Sequence, residues 1–152
     1  MTTIAYRGGV MAGDGRETSC EKGESTFVIR DDCVKVFRLP DGRLFGGSRT
    51  SEDIARLHDA LLESCKAGAN DRWPSPKLED INAICVDTDG AIRVYEGRRW
   101  ELVELPYYAV GSGARAALPA MDAGADAVGA VLIGTKRDPF SGGKITELKL
   151  KP

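Results

Sequence analysis

The sequence predicts an α+β fold in which helices lie over the outer faces of antiparallel sheets. Three observations predict it. Segments of strand character fall into two blocks, one before Thr50 and one between residues 82 and 111, with a helical pattern between them and two more after them. The strand segments are linked by short turn signals, Gly8-Gly9, Pro40-Asp41-Gly42 and Thr88-Asp89-Gly90, which suit antiparallel neighbours. The stretch after Thr50 carries Ile54, Leu57, Leu61 and Cys65 at helical spacing with charged residues opposite.

Taken in order, TTIAYR and VMAGD read as a hairpin closed by Gly8-Gly9, because two adjacent glycines supply the positive φ of a tight turn. A Gly/Ser/Glu-rich loop leads to FVIR, DCVKVFRL and RLFGGS, three further strands, the last two joined at Pro40-Asp41-Gly42. Thr50 and Asp53 form a loose capping box for a helix that ends near Gly68. After a polar stretch through Trp73-Pro74-Ser75-Pro76 come the strands NAICVD, AIRVYE, WELVEL and YYAVG. The last third predicts helices over about 113–123 and 125–136, then a closing strand, KITELKL.

The chain has 152 residues, 42% of them apolar, enough to bury one core, so a single domain over 1–152 is expected. With 21 basic and 23 acidic residues interspersed there is no electrostatic footprint for nucleic acid or an anionic membrane. No apolar run approaches the roughly 20 residues of a membrane span, and MTTIAYRGG lacks the features of a signal peptide, so the cytosol is the expected compartment. Cys20, Cys33, Cys65 and Cys85 stand far apart and His58 is the lone histidine, which argues against a zinc site and against Ser-His-Asp or Cys-His catalysis. Reduced thiols are expected.

The remaining chemistry starts at the amino terminus. Met1 before the small residue Thr2 is a favourable substrate for methionine removal, which would place a hydroxyl and an α-amine of ordinary pKa near 7.7–8.0 on one residue. The β-methyl group of Thr2 stiffens χ1 and aims the oxygen. Lys35 falls on the face of Cys33, Phe37 and Leu39 if strand alternation holds, where an ammonium either pairs with an acid or snorkels to the sheet edge; Asp14 is the available counter-charge. Ser112, between two glycines, either caps a helix or faces a cavity. Asp138 and Ser141 sit in a loop that Pro139 starts by stopping a helix. Gly46-Gly47 leave backbone N–H groups approachable, and Gly143-Lys144-Ile145 lacks the Ser or Thr of a P-loop.

Thr2-Thr3, GD at 13–14, VKV at 34–36, GSG at 111–113 and RDPFSGG at 137–143, in this order, resemble proteasome β subunits and their bacterial relative HslV. The resemblance spans nearly the whole chain and is strongest in RDPFSGG. It implies the four-layer αββα sandwich of the amino-terminal-nucleophile (Ntn) hydrolases and a threonine-type endopeptidase with no metal and no organic cofactor. Thr2 would be the nucleophile, its amine the base, and Asp14 with Lys35 a buried pair beside it. Ser112, Asp138 and Ser141 would hold the amine and a water, and Gly47 N–H would stabilise the oxyanion. The resemblance also implies self-association into two stacked rings, peptide or unfolded-protein substrates, and an ATP-dependent unfoldase ring as partner. An idle ring component that retains Met1, and an Ntn amidohydrolase acting on small amides, are the alternatives. Departures from the family pattern are a short opening hairpin and two glycines, Gly129 and Gly134, inside a predicted helix. Cys20, Cys33 and Phe45 are the candidate walls of a specificity pocket.

Overall fold

The computed structural model describes residues 2–21 and 24–151, with the side chains of 20, 21 and 24–26 outside the description. Its strands are β1 (Ile4–Arg7), β2 (Val10–Gly13), β3 (Glu17–Glu21), β4 (Glu24–Arg30), β5 (Val36–Arg38) and β6 (Leu44–Arg49), followed by β7 (Ile81–Val86), β8 (Ile92–Tyr95), β9 (Trp100–Val103), β10 (Tyr107–Val110) and β11 (Thr146–Lys149). The helices are α1 (Ser51–Ser64), α2 (Ala114–Asp122) and α3 (Ala127–Arg137).

Two antiparallel sheets face each other. One has the order β10-β1-β2-β11 and the other β5-β6-β7-β8-β9, while β3 and β4 pair as a separate hairpin. Helices α2 and α3 pack on β1, β2 and β10, and α1 packs on β6 and β7, which gives the layer order α, β, β, α. The α+β class read from the sequence is the one observed.

Strand alternation sorts the core into three layers. Ile4, Tyr6, Leu44, Ile84 and Val86 fill the space between the sheets. Their chain neighbours Ala5, Phe45, Ala83 and Cys85 point outward, toward the helices. The residues beneath α2 and α3 include Ala5, Ala12 and Ala109, so those helices lie close to their sheet. Beneath α1 the larger Phe45 and Tyr95 meet Leu57 and Leu61, each leucine worth about 2 kcal/mol on burial.

Several local expectations are revised. The hairpin closes as read, with Gly8 at φ 60° and Gly9 at φ 82°. The segment DCVK is not strand: β5 starts at Val36, so alternation does not carry Lys35 onto the Phe37 face. Thr50 precedes α1 without a side-chain cap. Its hydroxyl bonds the Asp80 carbonyl at 3.1 Å, and Asp53 accepts from Asp80 N–H at 2.9 Å, so both tie the start of the helix to the chain entering β7. Among the described cysteines, Cys33, Cys65 and Cys85 are free, and burial pushes the Cys85 thiol up to about 12. No helix among the described residues is long and apolar enough to cross a membrane.

His58, on α1, stacks on Phe37 and Phe45 with centroids 4.8 and 5.5 Å away. Burial pulls its pKa below the ordinary value, against a smaller opposing pull from Asp59. The folded state therefore binds fewer protons than the unfolded chain just below pH 6.5, and stability present above that pH declines below it until the folded pKa is passed. Urea titrations at pH 7.5 and 5.5 should show a larger loss of unfolding free energy for the wild type than for His58→Leu.

Candidate active site

The chain enters β1 through Thr2 and Thr3, which are 5% and 0% exposed. The ladder continues past the strand end, since Asp14 N–H donates to the Thr3 carbonyl at 3.1 Å and Gly113 N–H to that of Thr2 at 3.2 Å. Alternation from Ile4 and Ala5 puts Thr2 on the inter-sheet face and Thr3 on the helix face. Three glycines make room for this. A Cβ on Gly111 would lie 2.0 Å from the Thr2 carbonyl oxygen, one on Gly113 1.7 Å from Thr3 Oγ1, and one on Gly134 2.6 Å from Thr3 Cγ2. Gly134, which looked like a helix defect in the sequence, is where α3 meets the strand entry.

Asp14 is wholly buried and accepts four hydrogen bonds. Oδ1 takes Thr3 N–H and Lys35 Nζ, both at 2.9 Å, and Oδ2 takes Gly142 N–H at 2.9 Å and Arg16 N–H at 3.2 Å. Charge-assisted bonds of this kind are the strong ones. Lys35, its side chain only 9% exposed, thus reaches across the gap between the sheets to Asp14. It neither packs on the Phe37 face nor snorkels outward. A Cβ on Gly13 would sit 3.1 Å from Val36 and 3.8 Å from the Lys35 Cβ, so the Thr2 end of β1 and the Lys35 end of β5 are the same end of the sandwich.

On the other side of Thr2 a set of hydroxyls converges on one carboxylate. Ser112 and Ser141 donate to Asp138 Oδ2 at 2.5 and 2.6 Å. Each hydroxyl has one proton, so Thr3 Oγ1 donates to Ser141 Oγ at 2.7 Å and Ser112 Oγ accepts from the Thr2 nitrogen at 3.3 Å. That nitrogen belongs here to the Met1–Thr2 peptide and stands in for the amine that cleavage would release. Ser112 does not cap α2; Gly113 occupies the cap position.

Gly47, the oxyanion donor that the resemblance implies, lies in the second half of β6. The Leu39 N–H bond to the Arg43 carbonyl, at 2.8 Å, fixes which β6 residues face β5, and by that parity Gly47 N–H faces the β5 edge of β6, just beyond the end of the β5–β6 register at Val36. The absence of a side chain at Gly47 serves packing, since a Cβ there would lie 3.0 Å from Ile54 of α1. Arg49 is the next residue whose amide faces that edge, and β5 does not extend to meet it. Arg49 has φ 85°, the one positive φ of a non-glycine among the described residues, a conformation that turns the chain from β6 into α1 at a cost.

Of the candidate pocket walls, Phe45 is a fully buried core residue under α1, Cys33 is partly exposed beside Arg30, and the Cys20 side chain lies outside the described residues. No group of metal-ligating side chains occurs among the described residues. Sequence reasoning missed Thr3, whose place in the hydroxyl set follows once strand alternation is applied to the Thr2-Thr3 pair. Replacing Gly134 by Ala gains about 1 kcal/mol of helix propensity but drives a methyl group into Thr3. Chemical denaturation should show Gly134→Ala to be destabilised by about 1–3 kcal/mol.

No protein-family model matches the sequence, and no curated protein matches it. Solved structures do. Eukaryotic HslV from Trypanosoma brucei is 18% identical with a TM-score of 0.67, over 97% of this chain and 98% of that one. The Thiobacillus denitrificans protein BPH is also 18% identical, with a TM-score of 0.64 over 99% of this chain and 98% of that one. Its complex with epoxomicin gives a TM-score of 0.62 at 18% identity over 99% of both chains. At this identity the likeness is one of fold, and the chain has the Ntn-hydrolase fold of HslV.

Proposed function

We propose that the chain is a threonine-type endopeptidase subunit whose nucleophile is Thr2 after loss of Met1. One observation carries this reading: at a single end of the sandwich, the Thr2 nitrogen meets the Ser112–Asp138–Ser141 set while the Asp14–Lys35 pair is held beside the same strand entry. The fold likeness to HslV, and to a protein solved in complex with epoxomicin, supports it.

In this reading Thr2 Oγ attacks the scissile carbonyl and passes its proton, through a water, to the Thr2 amine. Ser112 and Asp138 hold that amine, and the Lys35 ammonium, fixed by Asp14, favours the developing alkoxide. The oxyanion is met by the Gly47 N–H, which faces the β5 edge of β6. Collapse breaks the C–N bond, the departing amine takes the proton, and the acyl ester on Thr2 Oγ is hydrolysed by water. The chain would self-associate into stacked cytosolic rings enclosing these sites, with unfolded protein as substrate and an ATP-driven unfoldase as feeder; particle size in solution tests the assembly.

Intact mass spectrometry tests the chemistry. The mass should show Met1 removed and one epoxomicin per chain, because the epoxyketone needs both the hydroxyl and the free amine, and Thr2→Ala should take up none. A processed chain that stays unmodified would instead indicate an idle scaffold. Lys35→Ala should lower peptide hydrolysis by about 100-fold or more while leaving particle size unchanged.

A further inference from the structure

We propose that Met1 can be removed only before β1 docks into its sheet, so that a methionine aminopeptidase acting on the unfolded chain decides how many folded chains carry a free Thr2 amine. The consequence for activity rests on the Thr2 peptidase reading. Thr2 is 5% exposed, and Thr3, Ile4 and Ala5 are each 0% exposed. An enzyme that removes methionine only ahead of a small residue has to enclose the side chain of residue 2 to read its size, and has to reach the backbone that follows. In the folded chain those groups are already engaged.

The Thr2 nitrogen donates to Ser112 Oγ at 3.3 Å, and the Thr2 carbonyl accepts from Gly113 N–H at 3.2 Å. Thr3 N–H donates to Asp14 Oδ1 at 2.9 Å, and the Thr3 carbonyl accepts from Asp14 N–H at 3.1 Å. Ile4 to Arg7 then pair with β10 on one side and β2 on the other, so β1 is an inner strand. A Cβ on Gly111 would lie 2.0 Å from the Thr2 carbonyl oxygen, which leaves no room for a second protein beside it. Freeing residues 2–5 means opening both ladders and taking a donor from the buried Asp14 carboxylate. Openings of that extent approach global unfolding and reach roughly one folded chain in a thousand to one in a million.

Trimming adds water across the Met1–Thr2 amide: the C–N bond breaks, the new carboxyl group leaves with free methionine, and the proton ends on the Thr2 nitrogen. A chain that folds first keeps an amide at that nitrogen. Its lone pair is delocalised into the carbonyl and cannot take up the proton of the Thr2 hydroxyl. The fraction of working sites is thus set by a competition between trimming and folding.

The test uses full-length chain that retains Met1, made in cells whose methionine aminopeptidase is inhibited, and a purified aminopeptidase of that class. A synthetic peptide of residues 1–9 serves as the unfolded reference. Mass spectrometry should show the folded chain trimmed at least about 100-fold more slowly than the peptide. Gly134→Ala, destabilised at the same strand entry, should be trimmed about 5- to 150-fold faster than the otherwise wild-type chain. Chain diluted from urea with the aminopeptidase present should lose Met1 and, once folded, take up one epoxomicin. A folded chain trimmed nearer the peptide's rate, trimmed with no enzyme added, or trimmed no faster as Gly134→Ala overturns this inference and leaves the peptidase reading standing. Folded chain free of Met1 that takes up no epoxomicin overturns the peptidase reading, while the order of trimming and folding is still decided by the rates.

Discussion

The buried carboxylate of Asp14 organises the site end of the molecule. It is wholly inaccessible, carries a charge and accepts from four donors that come from Thr3, Arg16, Lys35 and Gly142. Those donors belong to the strand entry, the β2 exit, the start of β5 and the loop before β11. A buried charge is tolerable only when its lone pairs are met, and removing one partner of such a pair typically costs about 3–5 kcal/mol. Further backbone bonds stitch the same segments together: Gly15 N–H to the Gly142 carbonyl, Cys33 N–H to the Gly15 carbonyl and Lys144 N–H to the Asp31 carbonyl. Lys35 is consequently delivered to the Thr2 end by an electrostatic anchor rather than by strand geometry.

Close approach is the second constraint. Thr2 and Thr3 are clasped from outside by Gly111, Gly113 and Gly134, positions where even a methyl group would overlap their atoms. This clasp brings the β10–α2 turn, α3 and the 138–143 loop close to one strand entry, where two hydroxyls bond Asp138 and a third, from Thr3, bonds Ser141. Dense packing and a directed hydroxyl set are thus two consequences of the same small residues. A preorganised arrangement of this kind spares a reaction the cost of reorienting dipoles as charge develops.

Much of this was legible in the residues themselves. The strand and helix blocks, the Gly8-Gly9 hairpin and the Asp14 counter-charge follow from local patterns, because turn chemistry and hydrophobic period act over a few residues. The resemblance at RDPFSGG selected Asp138 and Ser141, which form one hydrogen-bonded set with Ser112, the acceptor of the Thr2 nitrogen. Long-range features were hidden. Alternation assigned Lys35 to a face that a strand beginning one residue later does not give it. Gly134 read as a helix fault because its reason, the Thr3 side chain, is 131 positions away in sequence (134 − 3). The positive φ of Arg49, a conformation more often taken by glycine, was announced by no residue type.

Hydroxyl, amine, ammonium and carboxylate have to meet at one strand end for Thr2 to act as a nucleophile. A high-resolution crystal structure of the chain lacking Met1 measures this directly. Thr2 Oγ should lie within about 3.2 Å of Lys35 Nζ, and the freed amine within the same reach of Ser112 Oγ or of a water held by Asp138. An ammonium turned away from Thr2, or an amine pointing out of the Ser112–Asp138 set, would contradict the account.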